Sequence, residues 1–375
     1  MEFVFWQNII AIHQKALLTE LSRLHKVSLV VEQESYQFRL EQGWNVPDMG
    51  DVNIIVAPQA DKLDHLLLKF REAIHIFSGF QTYRTTHFAF LFALNNRLKT
   101  LVYTEPYDLQ GIRGMVRRIR LMISRQRFGN KVDGILVTGD LGHRCFSEAG
   151  FDENKIFDFG YFTESPKSTF GNHNTGEIPE PDLQFRKPDL LYVGSIDERK
   201  NILNLVRVCK KLHGRFNTFD IIGRGNLEAE LQKEISDAPD IHFLGSMDNA
   251  EVQGFMHRKD ILILPSFFDG WGAVVNEALE HGMRVLASDM CGSSVLLDGK
   301  HRGAVFSLNS NNMESVLEHW ISRGKHSVSE RTDIIRWCKA SISGKVAAAY
   351  LISLCNYIYN GSPVRPVAPW LKTRR

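Results

Sequence analysis

"DILILPSFFDGWGAVVNEALEHGM", residues 260–283, decides how the chain is read. Its first six residues form a short, isoleucine-rich apolar run that stops at a proline, the pattern of a buried strand. From "AVVNEALEHGM" apolar residues recur at helical spacing, and Gly282 stands where a helix would end. Asp269 therefore lies in the loop after a strand, and Glu277 in the first turns of the helix that follows. In open α/β sheets, ligands bind at that kind of junction. Gly270 and Gly272, on either side of Trp271, let backbone amides approach a ligand with no Cβ in the way.

The same strand–turn–helix order recurs on both sides of this stretch. Later strand candidates are "DLLYVG" (189–194), "FDIIG" (219–223), "IHFLG" (241–245), "ILILP" (261–265) and "RVLAS" (284–288). Earlier ones are "FVFW" (3–6), "VSLVV" (27–31), "VNIIVA" (52–57), "AIHIF" (73–77), "TLVYT" (100–104) and "DGILVT" (133–138). Helical patterns lie between most of them, such as "IIAIHQKALLTELSRLH" (9–25). Alternation of this kind predicts parallel sheets covered by helices on both faces.

A polar stretch rich in Gly, Pro, Ser and Asn interrupts the order at 162–187. We place a linker at 166–187, between a first domain at 1–165 and a second at 188–342. The apolar helix "KVAAAYLISLCNYIY" (345–359) lies in a terminal segment, 343–375. The expected fold class is α/β, two doubly wound Rossmann-like domains facing a cleft.

Bulk composition narrows the function classes. The chain has 375 residues, 43% of them hydrophobic, enough to bury two cores. With 45 basic and 43 acidic residues, the net charge of +2 gives no support to a nucleic-acid binder. The five cysteines are scattered, without a CxxC pair or metal-ligand spacing, which suits free thiols in a reducing cytosol. The N-terminal stretch lacks the basic and apolar regions of a signal peptide, and no apolar run reaches membrane-spanning length. A soluble, intracellular chain is expected.

Three glycine turns close successive strands of the second half: "VGSIDERKN" (193–201), "IIGRGN" (221–226) and "FLGSM" (243–247). Each alone reads as a tight turn. Together with the DGWG loop they give one end of one sheet the same permissive backbone. Arg199 and Lys200 stand where the first turn meets its helix, and helix N-terminal amides with two cations suit a diphosphate. The competing reading is an exposed basic pair. Glu277 can accept two hydrogen bonds from a vicinal diol such as a ribose, or it is simply an acid near a helix start.

With these residues in place, the pattern resembles the GT-B glycosyltransferases, in particular the retaining family 4 group. The family's acid, seven residues, glutamate signature stands here as Pro265, Ser266, Asp269, Gly270, Trp271, Gly272, Glu277, Ala278, Gly282 and Val285. "VGSIDERKN" is similar to its VGRL…KG turn, with Lys200 six positions after Gly194. "IIGRGN" and "IHFLGSM" are similar to its next two turns. The likeness is close over 189–298, and in the first half it is one of architecture.

The resemblance implies transfer of a sugar from a UDP-, GDP- or dTDP-sugar to a saccharide acceptor, with anomeric configuration retained and no metal or other cofactor. It also implies that the C-terminal helix crosses back to the first domain. By position, Glu277 would bind the ribose, Lys200 and Arg199 the diphosphate, and Asp269 the donor sugar. Gly194, Ser195, Gly223, Gly225, Gly270, Trp271, Gly272 and Ala273 would bring backbone to the donor, and the Gly245–Met247 segment would lie near the base. Asp269 replaces the family's usual glutamate, Ser195 replaces an arginine, and "FWQNIIAIHQ" lacks the family's N-terminal glycine-rich loop.

The acceptor side falls to the first domain. Glu105, before a proline at a strand end in "VYTEPYD", corresponds to the family's first-domain histidine and is a candidate to grip or deprotonate an acceptor hydroxyl. His13 reads as a packing histidine near the cleft. "GIRGMVRRIRLMISRQRFGNK" (111–131) sets Arg113, Arg117, Arg118, Arg120, Arg125, Arg127 and Lys131 among apolar residues. It reads either as a solvated cationic face or as a helix on an anionic membrane surface, which would suit a lipid-linked acceptor in surface-polysaccharide assembly. Three rival functions remain: a catalytically silent nucleotide-sugar-binding subunit, a GT-B nucleotide-sugar 2-epimerase, and a nicotinamide oxidoreductase, which the missing GxGxxG disfavours.

Overall fold

The structure, a computed structural model, describes residues 1–36, 46–58, 63–80, 83–164, 186–310 and 312–371. Residues 165–185, most of the expected linker, fall outside that set.

Seven strands build the first sheet: β1 (Glu2–Gln7), β2 (Lys26–Val31), β3 (Asn53–Val56), β4 (Ile74–Ser78), β5 (Thr100–Thr104), β6 (Gly134–Thr138) and β7 (Ile156–Phe159). They run parallel in the order β3-β2-β1-β4-β5-β6-β7. Six build the second: β8 (Leu190–Val193), β9 (Phe219–Ile222), β10 (Ile241–Gly245), β11 (Ile261–Leu264), β12 (Arg284–Ser288) and β13 (Gly303–Phe306). These are also parallel, ordered β10-β9-β8-β11-β12-β13. The strand order reverses beside β1 in one sheet and beside β8 in the other, which opens a crevice at the strands' carboxyl ends.

Burial on both faces explains the near-continuous apolar strands. Along β1, Phe3 and Phe5 enter one apolar cluster while Val4 and Trp6 enter another, as the two-residue period of a strand requires. In the second sheet Leu190 and Tyr192 point to one cluster and Leu191 to the other. That last cluster is shared between the domains, because Leu191, Leu262 and Val285 belong to the same group as Phe3, Phe5 and Leu29.

All eleven expected strands form. The sequence reading passed over β7 and β13, each four residues long and each at a sheet edge, where a short run carries little pattern. The first helix is shorter than the periodicity suggests, Ile12–Ser22, because Ile9 to Ala11 serve as the connection from β1. The C-terminal helix, Gly344–Tyr359, does return to the first domain. It crosses the first helix so closely that a Cβ on Gly344 would overlap the Ala16 carbonyl. The Tyr350 hydroxyl donates to the Asp158 carbonyl at 3.0 Å and the Tyr359 hydroxyl to Asp133 at 2.9 Å.

Candidate active site

The turn after β8 is tied down by one acid. Asp197 accepts the Lys200 amide at 2.9 Å and the Ser195 hydroxyl at 2.6 Å, folding Glu198–Lys200 into a short 3-10 turn. Asn201 then takes a left-handed conformation, φ 56°, and sends its side-chain amide to the Pro265 carbonyl. The turn is thereby bolted to the end of β11. Arg199 reaches across to the Phe268 carbonyl at 3.0 Å. Lys200 Nζ meets Asp269 Oδ2 at 2.5 Å, with both side chains largely buried.

Lys200 and Asp269, read from the sequence as a phosphate ligand and a sugar ligand, are therefore paired with each other at the switch point of the second sheet. Ser195 likewise spends its hydroxyl on Asp197. The glycines of the second turn have a structural reason to be small. A Cβ on Gly223 would overlap the Gly194 carbonyl, and one on Gly225 the Ile196 carbonyl. Gly194 itself has room only for backbone beside the Tyr192 hydroxyl, and that hydroxyl donates to the Ser195 carbonyl. Gly245, at φ 74°, opens onto empty space, and Met247 packs half-buried after it.

The Trp271 ring packs between the domains: it is 2% exposed, donates through Nε1 to Asn276 at 2.8 Å, and lies on Gly160 of the first domain. Gly272, at φ 86°, caps the helix Ala273–Glu280, and no side chain caps its first amides. Ala273, Val274 and Glu277 form the half-open stripe of that helix, whereas Val275, Asn276, Ala278, Leu279 and Glu280 are buried. No described residue pairs with the Glu277 carboxylate, and burial alone pushes its pKa up to about 7.

Glu105 closes the site from the first domain. It follows β5, and a Cβ on Gly270 would overlap its carboxylate. Glu105 is open to the cleft yet ringed by protein, which raises its pKa. The Tyr161 hydroxyl opposes that rise through a hydrogen bond, the Asp269 charge adds to it, and Arg199 and Lys200 oppose it. The Tyr161 ring also lies tilted against the His13 ring, centroids 4.2 Å apart, so His13 lies one residue behind Glu105. Asp197 was passed over in the sequence analysis, although an acid three residues before Lys200 has the usual spacing of a helix-start cap. Tyr161 carried no such signal.

The two domains touch beside these groups. Thr138 donates to the Gly270 carbonyl at 3.0 Å, Asn276 to the Tyr161 carbonyl at 3.0 Å, and Thr163 to Glu280 at 2.8 Å. Glu280 is 3% exposed, its second oxygen lacks a partner, and burial raises its pKa well above the usual carboxylate range. Among the described residues, no group of three His, Cys, Asp or Glu side chains could hold a metal ion.

Two parallel Rossmann-like sheets meet across a cleft, and a terminal helix crosses back. The chain has the GT-B fold. Residues 187–321, less than half of the chain, match the family model described as glycosyl transferases group 1. An uncharacterized 41.2 kDa protein in the cps region of Klebsiella pneumoniae is 24% identical over 296 residues, 77% of this chain and 78% of that protein. A phosphatidyl-myo-inositol mannosyltransferase of Mycolicibacterium smegmatis is 35% identical over 182 residues, 46% of this chain and 44% of the relative. Among solved structures, Anabaena Alr3699/HepE in complex with UDP superposes with a TM-score of 0.67 at 11% identity, over 95% of this chain and 100% of that one. The GT-B likeness to such structures is one of fold.

Proposed function

We propose that this GT-B protein is a retaining glycosyltransferase that moves a sugar from a nucleotide-sugar to a saccharide acceptor in polysaccharide assembly. One observation carries the reading. Lys200 and Asp269 at the switch point of the second sheet face Glu105 of the first domain across Gly270, while Glu277 stands unpaired on the adjoining helix. The group 1 match over 187–321 and the relative from a cps region support it.

In this reading the diphosphate enters beside Lys200, Arg199 and the uncapped amides after Gly272. Cations and amides aimed at the departing oxygens stabilise the charge that develops as the anomeric C–O bond breaks. Lys200 then turns from Asp269 to the phosphates, which frees the Asp269 carboxylate for the donor sugar. Glu277 accepts the ribose hydroxyls. The acceptor hydroxyl bonds to the anomeric carbon and yields its proton to Glu105, whose raised pKa makes it a better base than a carboxylate of ordinary pKa. Domain contact at Gly270 and Trp271 excludes water, which limits hydrolysis. The reading calls for no metal, since the cations neutralise the diphosphate.

A second reading, a nucleotide-sugar-binding subunit without turnover, is favoured by the shortened acid Asp269 being already engaged with Lys200. Incubation with UDP-, GDP- and dTDP-sugars separates the two. Slow nucleotide release from one donor, with an α-linked donor giving an α-linked product, supports the transferase. Donor binding with no release under any acceptor supports the subunit, and an inverted product contradicts retention.

A further inference from the structure

The helix Gly111–Phe128 faces the wrong way for an ordinary amphipathic helix. Its buried residues are Gly114, Leu121, Ser124 and Phe128. A Cβ on Gly114 would overlap the Leu109 backbone, and Phe128 packs edge-on to Phe90 at 5.3 Å, so this face is fixed against the first domain. Six further apolar residues fall on the opposite face and are exposed. They are Ile112 (80%), Met115 (59%), Val116 (44%), Ile119 (53%), Met122 (54%) and Ile123 (44%). Their spacing of three and four residues makes one continuous stripe over the length of the helix.

Arginines border the stripe. Arg113, Arg120 and Arg127 recur every seven residues along one edge, and Arg118 and Arg125 follow the other. The 18 residues hold six arginines and no acid. A merely solvated helix would carry polar residues on this face. Arginine rows beside a bare apolar stripe instead match a surface that is apolar within and anionic at its rim.

We propose that this helix lies in the plane of an anionic lipid surface, with the Ile112–Ile123 stripe at the headgroup boundary and the arginine rows on the lipid phosphates. The helix starts six residues after Glu105, so docking holds the acceptor side of the cleft close to the lipid surface. The proposal stands apart from the transferase reading, because a chain that moved no sugar would still bind.

Co-sedimentation with vesicles of phosphatidylcholine mixed with phosphatidylglycerol tests it. Wild type should pellet at low salt, less at high salt, and weakly with phosphatidylcholine alone. Ile119→Glu combined with Met122→Glu should abolish pelleting. Arg113→Gln, Arg120→Gln and Arg127→Gln together should weaken it roughly tenfold or more. All five positions are exposed, so melting temperatures should stay unchanged. Wild type left in the supernatant at low salt would overturn the proposal, as would pelleting indifferent to Ile119→Glu. A dimer split by that change, with no vesicle binding, would assign the face to a second copy and overturn it too.

Discussion

On the proposed reading, donor binding turns on Glu277. Its carboxyl sits half-buried with no partner among the described residues and a pKa raised to about 7, while a ribose needs the ionised form as acceptor. Nucleotide affinity should therefore fall as the pH drops below 7, by up to about tenfold per unit for one linked proton. Glu277→Gln should bind weakly with a flat pH profile; a wild-type profile that is itself flat from pH 6 to pH 8 would remove the ribose role. The neighbouring ion pair makes a separate prediction. Lys200→Met leaves Asp269 mostly buried and uncompensated, which should cost about 2–3 kcal/mol in denaturant unfolding. Adding Asp269→Asn should recover much of that loss, whereas strictly additive effects would show that the pair is not formed in solution.

At the scale of elements, the helix Ala273–Glu280 joins the proposed donor side to the domain contact, with Glu277 on its open stripe and Asn276 and Glu280 against the first domain. Burial raises the Glu280 pKa, so the folded chain holds a proton there that the unfolded chain releases above the ordinary carboxylate range. Its contribution is present at low pH and is lost as the pH rises, so Glu280→Gln should flatten the fall in melting temperature from pH 5 to pH 8. An unchanged slope would mean that Glu280 is already ionised when folded. The elements themselves were legible in the sequence wherever a strand is buried on both faces, since "ILILP" and "FVFW" leave little else to be. What the sequence hid were features set by partners far along the chain. Trp271 reads as part of a glycine loop, but its ring answers to Gly160, more than a hundred residues away. Glu280 reads as an ordinary helical acid, and only Thr163 reveals it as a contact.

Across the whole molecule, the account requires the two domains to close on one donor. Gly160 leaves no room for a side chain beneath Trp271, and Gly139, at φ 65°, leaves none beside the Gly292 carbonyl. Gly160→Ala should pry the domains apart, raising the radius of gyration in solution scattering and slowing transfer more than donor binding. The opposite order, binding lost and closure unchanged, would place the donor contact elsewhere. The placement of Lys200, Asp269 and Glu105 around Gly270 could not be read from spacing, because it depends on how the second sheet docks on the first. The most direct test is a calorimetric titration of the wild type and Glu277→Ala with UDP, GDP and dTDP at pH 8. The account predicts one-to-one binding of at least one nucleoside diphosphate by the wild type and its loss in the variant. Equal binding by both proteins, or none by the wild type, would contradict it.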